Sequence, residues 1–185
     1  ALDLIVGSGG ILSHAPRRVQ SMVMMIDAYA PLGITQLAVD SIFMMPHLGV
    51  LSTVNEQAAT EVFVKDCLVP LGTCVAPKGT GKAGERCFSY RLLMPGERVV
   101  EDNIPVGELR LLSLEVNQEA GIELTPARGF DFGAGDGKKV TGKVKGGVVG
   151  LILDARGRSI TINKDETARV RQLQSWAAAV DLYPN

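Results

Sequence analysis

The chain opens Ala1-Leu-Asp-Leu-Ile-Val-Gly7-Ser8-Gly9-Gly10-Ile-Leu12-Ser13-His14-Ala15. Leu2 to Val6 is a short apolar run that reads as a buried strand, Gly7 to Gly10 a tight turn, and the segment from about Ser13 the entrance to a helix. Strand, glycine turn and helix together favour a phosphate-bearing ligand. Glycine lets backbone amides approach a ligand closely, and a helix start offers unpaired N–H groups and a positive dipole end. The turn departs from the dinucleotide fingerprint G-x-G-x-x-G. Leu12 stands at the third glycine, and Asp27, about twenty residues on, continues a helix instead of ending a second strand. A purely structural glycine connection is the competing reading.

Working outward, residues 14 to 30 carry Val19, Met22, Val23, Met25, Ile26 and Tyr29 near helical spacing, so one broad face is buried. Met22, Met24 and Met25 read as gap-filling core. Pro31-Leu-Gly33 ends the helix, and Thr35 to Asp40 is a second strand, which makes the first forty residues a βαβ unit with parallel strands. Asp40 falls where that strand ends, a position that meets ligands in α/β sheets; a solvated cap is the alternative. His47 follows Pro46 in an apolar setting and reads as a hydrogen-bonded structural histidine, though Asp40 and His47 could both reach a cleft. Asn55 can cap a helix running to Leu68.

Residues 73 to 84 change character. Pro77-Lys-Gly79-Thr-Gly81-Lys82-Ala83-Gly84 reads as a loop between a first unit, residues 1 to 72, and a second, 85 to 185. It is not a P-loop: Ala76 replaces the first glycine and Ala83 the hydroxyl residue. From Phe88 the signals are β. Runs at 89–94, 108–116, 121–125, 139–145, 148–153 and 159–162 are separated by glycine turns, which suggests a small barrel or sandwich. Asp165 to Val180 is a closing helix with a stripe of Val170, Leu173, Trp176, Ala177 and Val180. The Gly129 to Lys139 loop reads as a mobile turn, and Asp154, Arg156 and Arg158 as a solvated turn. The fold class is therefore α+β.

A net charge of −1 leaves no basic footprint for nucleic acid, and 46% hydrophobic residues are enough for a substantial core. Two His and three Cys (Cys67, Cys74, Cys87) without a C-x-x-C pair leave little for a metal site. The cysteines read as buried hydrophobes in a reducing, cytoplasmic setting. The richest apolar window, Ser21 to Ala30, is broken by Asp27, so no membrane span is expected. No nucleophile, base and orienter assemble into a catalytic set, so no catalytic residue is nominated.

Three segments carry a family resemblance: Gly7 to Ala15, Leu37 to Ser52, and Gly146-Gly-Val-Val-Gly-Leu-Ile-Leu-Asp-Ala-Arg-Gly-Arg158. They resemble the glutamate mutase accessory family of MutL type, which is unrelated to the mismatch-repair protein of that name. The resemblance implies the C-terminal part of an ATPase of the actin, sugar-kinase and Hsp70 superfamily. On that basis the βαβ unit plus a helix would belong to the actin-like domain and a β-rich domain with a terminal helix would follow. It implies an accessory or reactivating chaperone for an adenosylcobalamin-dependent mutase, of glutamate mutase or aminomutase type, with the mutase subunits and a preceding N-terminal part as partners. Gly7, Ser8, Gly9, Gly10 and Ser13 become nucleotide-binding residues. ATP or ADP with Mg is the implied cofactor, its metal ligands lying outside this stretch, and no covalently bound cofactor is expected. Hydrolysis by this chain alone is not expected. The alternative is a non-catalytic module, residues 85 to 185, that docks on the mutase while the glycine turn is structural.

Overall fold

The computed structural model describes residues 2–183; Ala1, Pro184 and Asn185 lie outside the described residues. Eleven strands and five α-helices are present among them: β1 Leu4–Gly7, α1 Gly10–Ser13, α2 Arg18–Tyr29, β2 Gly33–Asp40, α3 Met45–Ser52, α4 Glu56–Val62, β3 Leu68–Ala76, β4 Lys78–Gly79, β5 Arg86–Leu93, β6 Val99–Pro105, β7 Leu109–Leu112, β8 Glu119–Pro126, β9 Phe130–Asp131, β10 Val140–Lys145, β11 Gly150–Asp154 and α5 Glu166–Ala179. The α+β class holds.

The opening unit has the expected strand order, but its first strand is an edge strand with Leu4 exposed, where a buried strand over Leu2 to Val6 was expected. β1 and β2 pair in parallel, Leu4 opposite Gln36 and Gly7 opposite Val39, with the helical crossover between them. The chain does not go straight into one helix, however: a separate turn, α1, comes first, and α2 begins only at Arg18, after Pro16. Met22 and Met25 are fully buried, whereas Tyr29 is exposed.

β3 departs from the expectation for residues 73 to 84. It continues through Ala76, antiparallel to β2 and parallel to β11, and β4 pairs with β9 two residues later. The five-stranded sheet, in order β1-β2-β3-β11-β7, therefore takes strands from both sides of that stretch. Every residue of β11 is buried. Leu151 and Leu153 face one core and Ile152 the other, the period-two alternation of a strand covered on both faces.

The second sheet, β10-β8-β5-β6, is wholly antiparallel and packs on one face of the first. Val75, Leu151 and Leu153 meet Phe88, Leu92, Ile104, Ile122 and Leu124 between them. Phe88 and Phe132 make an edge-to-face pair there, centroids 5.1 Å apart. The β-rich half is thus one layer of a sandwich whose other layer includes the opening strands. On the far face, α2 and α5 cover Leu37, Val39, Leu71 and Ile152 with Met22, Met25, Ile26 and Trp176. Val170 and Leu173, counted in the α5 stripe, are nearly half exposed.

Three further expectations are corrected. Residues 159–162 form no strand: β11 already has β3 and β7 as neighbours, and the chain turns away at Gly157, with φ +96°. The run 108–116 is a strand only over Leu109–Leu112. The helix after Asn55 ends at Val62 and passes into one π-helical turn, Phe63–Cys67. Its cap is as expected, since the Ala58 amide donates to Asn55 Oδ1 at 3.0 Å.

The Gly146-Gly147 pair is a close approach as much as a turn. A Cβ on Gly147 would lie 2.3 Å from the Leu71 carbonyl carbon and 2.4 Å from the Gly72 nitrogen. Backbone cannot swing aside as a side-chain tip can, so Gly147→Ala is expected to destabilise the protein by about 2 kcal/mol. Urea unfolding measures this, and a midpoint equal to that of the parent would refute it.

Candidate functional site

The glycine turn is bound to the end of β2. Gly9 adopts φ 117° and ψ 154°, a region essentially reserved for glycine, and its carbonyl accepts the Ser13 amide at 2.9 Å. The Ser13 hydroxyl, buried, donates to the Asp40 carbonyl, and the Ser8 hydroxyl donates to Asp40 Oδ2 at 3.2 Å. Two segments nominated separately from sequence thus meet.

Asp40 itself is fully buried. Its Oδ1 accepts the Met44 amide at 3.1 Å and its Oδ2 the Met45 amide at 2.8 Å, so the carboxylate closes the start of α3. Burial opposes its charge, but the amides of Met45 and Met44, the Ser8 hydroxyl and the Ile42 amide outweigh that and hold its pKa below the ordinary value. Asp40 is therefore a cap, and a buried rather than a solvated one. Pro46, in the first turn of α3, was the available sign of that helix. His47 is exposed on α3 and makes none of the bonds that tie the turn to Asp40, which corrects the expectation of a hydrogen-bonded structural histidine.

Gly7 is buried for packing: a Cβ there would lie 2.7 Å from Leu12 Cδ1 and 2.8 Å from Met25 Sδ. Gly9 and Gly10 have open space instead, with nothing nearer than 4.0 Å to a Cβ. Beside them runs a groove of about 440 Å³ lined by Gly10, His14, Val23, Met24 and Tyr183. The chain end forms one wall: Arg17 binds the Asp181 carbonyl and carboxylate, and Gln20 Nε2 donates to the Leu182 carbonyl at 3.2 Å. Sequence reading missed His14, Met24 and Tyr183. His14 adjoins the motif and could have been found, but Tyr183 arrives only through tertiary folding.

Elsewhere, the Gly129 to Lys139 loop ties itself down. Asp131 Oδ1 accepts the Gly133 and Gly135 amides at 2.6 and 2.8 Å, which uses the donors an anion would need and replaces the expected mobile turn with a braced one. The three cysteines are free and buried, and burial pushes the Cys74 and Cys87 thiols up. Among the described residues, no group of three or more His, Cys, Asp or Glu is placed to hold a metal ion, and no helix is long and apolar enough to cross a membrane.

A family model described as MutL protein matches residues 1–67 of the 185. That is the family the sequence motifs resemble, and the matched stretch contains the glycine turn, Asp40 and α3. Neither the curated proteins nor the solved structures provide a match.

Proposed function

We propose that this chain is part of a glutamate mutase accessory protein and that the groove beside Gly9 and Gly10 receives the nucleoside of ATP or ADP. The family match over residues 1–67 supports the accessory role. The observation that carries the nucleoside reading is that the groove is lined by Gly10, whose Cβ position is open, directly after the open Gly9. An adenine ring suits a slot walled by Val23, Met24, His14 and Tyr183, with unhindered backbone at its edge. The residues fit the nucleoside and not the metal–phosphate part of ATP·Mg: both Asp40 oxygens are occupied by amides, and Ser13 is bound to a carbonyl. Turnover is accordingly assigned to a longer assembly in which an actin-like ATPase domain is completed, and the mutase-directed chaperone role belongs to that assembly too.

Calorimetric titration with adenosine, ADP and ATP tests this. Binding is expected from all three, with affinities that do not depend on Mg. Gly9→Val, which cannot adopt φ 117° without strain, is expected to weaken binding at least tenfold. Absence of binding by any of the three would overturn the nucleoside reading.

The second reading, a docking module with a structural turn, is favoured by the packing role of Gly7 and the occupied hydroxyl of Ser13. β3 lies between β2 and β11, so residues 85–185 do not form a separable sheet, and the test belongs to the full chain. Mutase capture by the full chain, with no binding of adenosine, ADP or ATP, would favour the module.

A further inference from the structure

Between the 79–83 segment, the turn after β11 and α5 lies a second cavity, of about 300 Å³, remote in sequence from the glycine turn. Arg156 lines it with a side chain only 3% exposed. Its Nε donates to Asp154 Oδ1 at 3.0 Å, and Nη2 donates to Asp154 Oδ2 at 2.9 Å and Asp27 Oδ1 at 2.7 Å. Nη1 makes no hydrogen bond among the described residues. It is not fully occluded, and Arg156 lines the cavity. The Trp176 ring lies 5.2 Å from the guanidinium carbon and fixes its plane.

The balance of donors points the same way. Asp154 is shared with Arg158, whose Nη1 donates to Oδ2 at 3.1 Å and whose Nη2 is buried without a partner. The network of Asp27, Asp154, Arg156 and Arg158 is neutral, but Asp27 is half exposed, so only one of its two carboxylates is buried with the arginines. Buried guanidinium donors left open seek an acceptor, and an anionic one most strongly. Of these two arginines only Arg156 lines the cavity, whose apolar lining comes from Val106, Phe130 and the indole. Gln172 is already committed, to the Thr161 carbonyl and the Asn163 amide, and does not compete.

We propose that this cavity binds a small organic carboxylate, one oxygen accepting from Arg156 Nη1 and the apolar part resting on Val106, Phe130 and Trp176. The volume lies at the lower end of ligand pockets, so one ring or a short chain fills it. Trp176 is the single tryptophan, and its fluorescence reports on this cavity alone. Benzoate and butyrate are titrated into the full chain, with benzamide as the neutral control. A saturable change with at least one carboxylate, at least tenfold tighter than with benzamide, is expected. Thr161→Phe and Ala83→Phe, at two exposed lining positions from different segments, are each expected to fill the cavity and abolish the change while circular dichroism is retained. No saturable response to either carboxylate, an equal response to benzamide, or a response surviving in whichever filled variant remains folded would overturn the proposal.

Discussion

Asp154→Ala is expected to lower folding stability by about 3–5 kcal/mol, the usual effect of leaving buried charges without their partner. The carboxylate is 1% exposed and bridges two arginines: Arg156 binds it through Nε and Nη2, and Arg158 through Nη1. Removing it leaves Arg156 with only the half-exposed Asp27 and Arg158 with no acidic partner, beside Trp176, Pro31 and the sheet, where water cannot easily replace it. Burial alone would raise the Asp154 pKa, but the hydrogen bond from Arg156 and the charges of Arg156 and Arg158 together hold it below its ordinary value. A depressed carboxylate pKa gives stability that is fully present above the unfolded value, about 3.9, and is lost as the pH falls through the folded value. Chemical denaturation at pH 7 and at pH 3 measures both. The variant should be much weaker at pH 7 and less sensitive to acid than the parent. A loss under about 1 kcal/mol at pH 7 would mean that the network contributes nothing net.

Asp40→Ala should have the next largest effect, about 2–4 kcal/mol, because two amides at the start of α3 lose their acceptors and each buried unsatisfied donor costs about 1–3 kcal/mol. Asp40→Asn keeps one acceptor oxygen and should recover about half of the loss. Its pKa is depressed as well, so its contribution too is present above about pH 4 and lost in stronger acid. The two sites can be told apart by hydrogen exchange. Asp40→Ala should speed exchange at the Met44 and Met45 amides, the groups bound to the carboxylate, whereas Asp154→Ala should loosen the contact of α5 through Trp176. Unchanged protection at Met44 and Met45 would count against the capping role.

Both residues lay within stretches that the sequence made conspicuous, and both are buried where local context suggested solvent: Asp40 is the cap that was one of its two readings, but a buried one. Asp154, Arg156 and Arg158 read as a solvated turn because charge and glycine together usually mean a surface. Here the arginines turn inward because Asp27 of α2, 129 residues from Arg156, and Trp176 of α5 close over them. Local pattern carries no information about such a partner. For Asp40 the strand-end position left a ligand-facing carboxylate and a cap both open, because α3, which consumes the carboxylate, has weak helical periodicity with Gly49 and Pro46 inside an apolar run.

What the sequence determined by itself is what short-range physics controls. The parallel β1-α-β2 unit, the Asn55 cap, the buried methionines of α2 and most strands after residue 86 follow from side-chain period and turn chemistry, which act over a few residues. Tertiary structure decided the rest: β11 inserts between β3 and β7, residues 181 and 182 fold against the start of α2, and Arg156 is walled into its cavity. Each of these joins residues more than thirty apart in sequence. The free energy of such contacts comes from burial and pairing that no window of the chain contains.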